Sequence, residues 1–521
     1  MTEVIPHYNS PIENIDDLKA EYAGVGPNPS KIKIGAEGEF WHTTASDDDR
    51  VIEMTSGEQI FAIKDQTEQE MRDAKAERLG RPKEIVGIRP LGKETTTGVL
   101  EMSSSAYANH EIGQLYADIQ DFLTIHTRVA REHNAAVCPT SQIPTTTLEE
   151  SWDKMLGDDR KKGILRNFAN VLGDDALRFT FMTSTFQTSV SYSDPEHMYN
   201  IISVANDLTP LLYILGEDTT GFVEDDPRML PYPPHMKYCH ALGMYGGISP
   251  AYMTATDADS YLDAHIRMVT NLPMFSYFDG EQNVASAGEY EMPTWNELRQ
   301  HGLNTGSNFR FVEGGTNWPD NKLCDIRDVD ERPVGKRVEI RPVDRGYWLI
   351  GLSHMIQDPE GNKQLRNLLE DYGFDGKPGE GSSALLEQAQ FSALRRGHRY
   401  LDISYGKAGK THGPRTMADF AQDLSGVVSK FLAGTVHEPY MDGFHHICQT
   451  GRTNARVLQE MYPTLDGAKH FVVNAPDEII TDMTKCMDQH REAGIMPSLD
   501  EKGKVYAFTG ATGNGMPQPE G

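Results

Sequence analysis

Cysteine is scarce in this chain, and its placement excludes two classes of protein. The five residues (Cys138, Cys239, Cys324, Cys448 and Cys486) are odd in number, widely scattered and never in CxxC spacing. That pattern argues against a disulfide framework and against a zinc ribbon. Basic charge is also short: 49 Lys and Arg stand against 77 Asp and Glu, a formal charge of −28. With no concentrated basic patch, such repulsion predicts no nucleic-acid partner and no anionic membrane surface. No apolar run approaches the ~20 residues that span a bilayer. Glu3 stands where a secretory leader would carry a basic and then an apolar stretch. The expectation is a soluble, cytoplasmic protein. Its 521 residues allow one large domain or two to three ordinary ones.

What the chain does carry is charge in strand register. In Lys336-Arg337-Val338-Glu339-Ile340-Arg341-Pro342-Val343-Asp344-Arg345, strand alternation puts Arg337, Glu339 and Arg341 on one face and Val338 and Ile340 on the other. A carboxylate between two guanidiniums is either a structural ion-pair ladder or one side of a site where a cation meets an anionic substrate. A second strand, Lys31 to Trp41, shows Ile32, Ile34 and Ala36 on one face and Gly35, Glu37, Glu39 and Trp41 on the other, with Gly38 keeping the apolar face small. Two carboxylates at i and i+2 repel unless water separates them or a cation lies between, and oxygen ligands suit a hard cation such as Mg²⁺. A third strand, Thr95–Ser103, sets Glu101 between Leu100 and Met102. A solvated polar face remains the alternative for each strand taken alone.

Helical signals surround these strands. A short helix is expected around Ile15–Tyr22, a charged surface helix over 65–78, and a long amphipathic helix over Ala108–His133. Phe179–Tyr192 alternates like a strand, and Ser193-Asp194-Pro195-Glu196 opens a capped helix that Pro210 should kink or break. Further helices are expected over Asp257–Val269 and from Thr294-Trp295. A Gly-rich loop over Gly373–Ser383 is the best hinge, after which 384–498 reads as mostly helical. The predicted organisation is a polar N-terminal arm (1–30), a sheet domain (31–372) and a mainly helical C-terminal part (373–521), an α+β fold without internal repeats.

Three motifs carry less than they promise. Gly406-Lys407-Ala408-Gly409-Lys410-Thr411 lacks the first glycine of a P-loop, since Ser404 stands there. Thr509 to Gly515 mimics a dinucleotide turn with only six residues after it, too few for the helix that would receive a pyrophosphate. His445-His446 with Cys448 offers no fourth ligand, and adjacent histidines face apart.

The strands together resemble the plant and α-proteobacterial type of glutamate–cysteine ligase, within the carboxylate–amine ligase superfamily. Ile34-Gly35-Ala36-Glu37-Gly38-Glu39-Phe40 is similar to that family's IGxExE strand, and Leu100-Glu101-Met102-Ser103 to its FELS strand. Arg166-Asn167-Phe168, Gly173 and Phe181-Met182 resemble its RNY…G…MM segment. Thr185, Gln187 and Ser193 match the TVQVNLDFS strand, Leu272-Pro273-Met274-Phe275 resembles VPMYF, and Arg337 to Arg341 resembles LEMR, all in collinear order.

The resemblance implies a glutamine-synthetase-like funnel of antiparallel strands with flanking helices. It implies ATP-dependent ligation of a small-molecule acid to an amine through an acyl phosphate, best named as glutamate–cysteine ligation. Glu37, Glu39, Glu101 and Glu339 would hold Mg²⁺ and Arg341 would stabilise the transferring phosphoryl group. Gln187, Arg337 and Arg341 would serve the nucleotide, with Glu339 and Arg341 as the catalytic pair. Two departures stand out. The acid that precedes the FELS strand in the family falls at Thr95 here, with Glu94 one step off. The arginine ahead of the TGMLP segment is missing from Met244 to Pro250, so recognition of the acid would pass to Arg228 or Tyr245. Other readings are a superfamily ligase with another acid or amine, a non-catalytic nucleotide- or amino-acid-binding regulator, and a metal-dependent amide hydrolase. A homo-oligomer is left open.

Overall fold

A computed structural model describes residues 10–45, 52–138, 140–157, 159–230, 233–286, 292–327, 333–405 and 415–474. The P-loop-like segment from Gly406, the glycine-rich tail at Thr509–Gly515 and the helix expected beyond 474 lie outside these residues.

Nine strands form one curled antiparallel sheet, a half-barrel: β1 (Lys33–Ala45), β2 (Ile52–Met54), β3 (Gly92–Lys93), β4 (Val99–Ser103), β5 (Tyr107–Ala108), β6 (Ala136–Val137), β7 (Phe186–Ser191), β8 (Asn321–Arg327) and β9 (Pro333–Ile340). The main path runs β8-β9-β7-β1-β4-β3, and β2, β5 and β6 pair with further stretches of β1. Strands far apart in sequence therefore lie side by side, which makes this an α+β sheet rather than a βαβ series.

One face of the sheet is apolar because the alternation demands it. Ile34, Ala36 and Phe40 of β1, Leu100 and Met102 of β4, Val190 of β7, and Val338 and Ile340 of β9 are all buried in one cluster. The register sets Val190 beside both Ile34 and Val338, and Leu100 beside Phe40. Each fully buried aliphatic side chain contributes about 1.5–3 kcal/mol. A Cβ on Gly38 would sit 2.9 Å from the Phe40 ring, so glycine is what lets that ring lie flat against the strand.

Helices cover this apolar face. Helix α1 (Gly57–Leu79) opens with a Ser56/Gln59 capping box and closes at Gly80 in the left-handed region, φ 60°. Helix α2 (Ile112–Glu132) buries Ile112, Leu115, Ile119, Phe122, Leu123 and Val129 and packs on β1 and α1. Helix α3 (Pro195–Leu215) is capped by Asp194, whose carboxylate accepts the His197 N–H, and it packs on β9. Helix α4 (Trp348–Gln357) packs on β7.

Two local expectations are corrected. Phe179–Tyr192 is not one strand: a helix occupies Asp174–Met182 and β7 begins only at Phe186. Phe179, Phe181 and Met182 are buried helix residues whose spacing imitates alternation. Helix α3 runs through Pro210 to Leu215. Nearly every side chain from Met198 to Leu215 is buried, so packing outweighs the ~3 kcal/mol that an internal proline costs. The Ile15–Tyr22 helix forms, as a 3₁₀ helix, and helices over Ala258–Asn271 and from Trp295 follow Asp257 and Thr294 caps. After Ser383 the described residues are mostly helical, and the main apolar cluster is continuous across the Gly373–Ser383 loop. His445 bonds Ser425 at 2.8 Å and Cys448 is buried. No helix among the described residues is long and apolar enough to cross a membrane.

Candidate functional site

The other face of the sheet collects charge. Antiparallel register places Glu37 beside Gln187 on β7 and Ser103 on β4, and Glu39 beside Glu101 on β4. Glu339 lies beside Ser189 and Lys322, and Arg337 beside Ser191 and Cys324. Directly paired residues share a face, so the acids expected from alternation converge on one surface.

Three carboxylates form the tightest group. Oxygens of Glu39, Glu94 and Glu101 all lie within 4.8 Å of one another. The Glu39 carboxylate accepts from the Thr185 backbone N–H at 2.8 Å and from its hydroxyl at 3.1 Å. Ser103 donates to Glu101 at 2.8 Å. Gly92, opposite Glu101, gives this carboxylate room, since a Cβ there would lie 3.1 Å from the Glu101 Cβ. Burial, then the neighbouring Glu101, pushes Glu39 up to about 7. Burial and the adjoining Glu94 push Glu101 to about 8, and Glu94 is raised by burial and by Glu39. Lys161 and Arg341 act against the rise of Glu94, and Arg341 against that of Glu39, without offsetting burial. Oxygen-only donors that resist ionising together fit a hard divalent cation, which would remove that resistance.

Beside the acids stands an arginine-rich row. Arg337 donates to Glu37 at 2.9 Å and reaches Glu339 at 3.5 Å, and Arg341 pairs with Glu339. The Cys324 thiol donates to Glu339 at 3.4 Å. Burial works against the Glu339 charge, but Arg341, Lys322 and Arg337 overcome it and hold the group at about 2. Glu37 goes the other way, to about 7: burial and Glu339 outweigh Arg337. The charge of Arg341 also acts on Glu39 and Glu94, which ties the two groups into one electrostatic unit.

A cleft of about 1240 Å³ opens over the Glu37 end of this face, floored by Gly35, Glu37, Ser189, Ser191 and Arg337. Lys31, Lys33, Arg89 and Arg327 also line it, with Asp17, Glu21 and Asp325 among them, so its charges are mixed. Several polar atoms on this face have no partner among the described residues: Gln187 Oε1, Ser189 Oγ and Arg337 Nε. Buried polar groups are ordinarily paired, so these atoms are open to a further partner.

The structure brings Glu37, Glu39, Glu101, Gln187, Arg337, Glu339 and Arg341 together. It does not bring Arg228 or Tyr245 to the cleft. Arg228 is exposed and forks onto Asp226 in its own loop. Tyr245 is buried between Phe168 and Phe275, with its hydroxyl donating to the Pro273 carbonyl at 2.9 Å. Two site residues were absent from the expected ligand set. Glu94 was signalled only by its place ahead of the β4 strand. Lys322 had no local signal, because β8 is recognisable only through its pairing with β9.

No protein-family model matches this sequence, and no curated protein is similar to it in sequence. Among solved structures, glutamate–cysteine ligase from Francisella tularensis in complex with AMP is similar over 91% of this chain and 94% of its own, at 10% identity and a TM-score of 0.45. A bifunctional glutathione synthetase from Pasteurella multocida is similar over 90% of this chain and 54% of its own, at 10% identity and a TM-score of 0.38. Both likenesses are too slight to bear on the chemistry.

Proposed function

We propose that this chain is an ATP- and Mg²⁺-dependent carboxylate–amine ligase on a glutamine-synthetase-like sheet. One observation carries the reading: the cluster of Glu39, Glu94 and Glu101 and the Arg337–Glu339–Arg341 row share one sheet face beside a cleft. Glu39, Glu94 and Glu101 would hold one divalent cation, and Glu37 with Glu339 would serve a second. Bound there, the metal would neutralise charge on the phosphates. Arg337 and Arg341 are already oriented by carboxylates, so they can stabilise a transferring phosphoryl group without reorganising at the moment of reaction.

In this reading a substrate carboxylate oxygen attacks the terminal phosphorus of ATP, an O–P bond forms, and ADP leaves. The amine then attacks the acyl phosphate carbon, inorganic phosphate leaves with the bonding electrons, and the amine loses a proton. A γ-glutamyl-type amide from glutamate and cysteine is the best single named product. Gln187 would hold the nucleotide or metal, and Arg228 or Tyr245 would reach the acid only if their segments rearrange.

Acid and amine pairs mixed with ATP and Mg²⁺ test the reading directly. ADP and inorganic phosphate are expected in step with amide. AMP and pyrophosphate, or amide cleavage without nucleotide, would overturn it. Glu39→Gln should lower turnover on the order of a hundredfold, because a group that stabilises developing charge typically contributes several kcal/mol. Near-normal turnover of that variant at saturating Mg²⁺ would remove Glu39 from the metal site.

A further inference from the structure

The row through Glu339 continues on both sides. Lys322 of β8 is its direct cross-strand partner on one side and Ser189 of β7 on the other, so all three side chains share the cleft face. Lys322 is only 5% exposed. Even so, its ammonium has no hydrogen bond and no ion pair among the described residues. Glu339, the acid opposite it, is already engaged by Arg341, Arg337 and the Cys324 thiol. Lys336 on the same sheet shows the contrast, with carboxylates of Glu313 and Asp325 on its ammonium. Glu339 answers the charge of Lys322 across the strand pair, but no acceptor bonds the ammonium among the described residues, and donors left open on such a face can be completed by a ligand. Two more donors beside Glu339 are also unspent, the buried Ser189 hydroxyl and the Arg337 Nε–H, and both residues line the cleft.

We propose that Lys322, Ser189 Oγ and Arg337 Nε form an anion pocket beside Glu339, which takes the oxygens of a phosphoryl or carboxylate group. Lys322 supplies the full charge, Arg337 a directional N–H, and Ser189 a hydroxyl that turns to donate. The pocket would supply the cation that the Met244–Pro250 stretch lacks, without calling on Arg228. Which anion it takes rests on the ligase reading; that it binds an anion does not.

Calorimetry with ADP·Mg²⁺, glutamate, inorganic phosphate and pyrophosphate as separate probes, on wild type, Lys322→Met, Lys322→Arg and Ser189→Ala, tests this. Lys322→Met should weaken at least one probe by about tenfold or more, as expected for losing a charge-assisted bond. Lys322→Arg should recover part of that loss, and Ser189→Ala should weaken the same probe by about threefold. Loss confined to ADP·Mg²⁺ identifies a nucleotide phosphate, and loss confined to glutamate identifies a substrate carboxylate. If only phosphate or pyrophosphate binds and is lost, the pocket stands while the ligase reading fails. Unliganded Lys322→Met should melt no lower than wild type. A fall in its melting temperature with unchanged affinities would make Lys322 a mere counter-charge to Glu339 and overturn the proposal. So would a wild type that binds none of the four probes.

Discussion

Strand β9 carries two ion clusters, one on each face, and they differ in closure. On the covered face Lys336 is fully buried, pairs with Glu313 and with Asp325 at 2.9 Å, and lies 3.8 Å from Glu21. Glu313 also accepts from Tyr22 at 2.5 Å and bonds His265 at 2.8 Å, and Glu21 takes Arg310 at 2.6 Å. On the cleft face, one residue further along, the balance fails in both directions. Glu39, Glu94 and Glu101 crowd together and burial outweighs the cations that act on Glu39 and Glu94, while Ser189 Oγ and Arg337 Nε have no partner among the described residues. The first cluster also keeps an atom unpartnered among the described residues, His265 Nδ1, so it is closed in charge alone: Glu21, Glu313 and Asp325 each pair with a cation, whereas the cations near Glu39 and Glu94 do not offset burial.

The largest effect should come from breaking the closed cluster. Lys336→Met leaves Glu313 and Asp325 buried with too little compensation, a loss of about 3–5 kcal/mol of stability by analogy with other broken buried pairs. Urea unfolding measures it, and a loss under about 1 kcal/mol would show that water reaches these acids.

The matching change on the open face should behave differently. Glu101→Gln removes one of three mutually repelling carboxylates, so metal-free stability should hold or rise by up to about 1 kcal/mol. Turnover should fall on the order of a hundredfold, about 2.7 kcal/mol of barrier. Stability and activity moving down together would place Glu101 in the closed class with Glu313.

Much of this arrangement was legible from alternation alone, because a period of two assigns faces once a strand is recognised. Glu37, Glu39, Arg337, Glu339 and Arg341 share the face that the pattern gives them, opposite Ile34, Val338 and Ile340. What failed depended on long-range pairing or on packing. Glu94 joins the acids because Gly92 pairs with Glu101 across a short hairpin, a register that no local pattern states. Lys322 becomes a site residue only when β8 is placed beside β9. Tyr245 drew attention by sequence position, yet its ring fills a gap between Phe168 and Phe275. The segment before β7 misled because a helix ending in Phe179, Phe181 and Met182 can look like alternation over a few residues.

The smallest effect separates the two faces by pH. Glu37 and Glu39 sit at about 7 and Glu101 at about 8, all raised mainly by burial from an ordinary value of 4.5. A raised carboxylate favours the folded state while protonated, so its contribution is complete below about 4.5 and lost as pH climbs through about 7 to 8. Glu313 is the reverse: burial opposes its charge, but Lys336 and His265 hold it at about 2, so its contribution exists above 4.5 and fades as pH falls towards 2. His42, pushed by burial down to about 4, adds to the acid limb. In chelator the melting temperature should therefore decline at both ends, by a few degrees between about pH 6 and pH 9. Mg²⁺ should flatten the alkaline limb alone, since a cation among Glu39, Glu94 and Glu101 favours their ionised forms. Glu101→Gln should shrink that limb without touching the acid one. Lys336→Met should alter the acid limb, which separates Glu313 from His42. A metal-free melting temperature that stays level from pH 6 to pH 9 would mean the three acids are solvated, and the contrast between the two faces of β9 would lose its electrostatic basis.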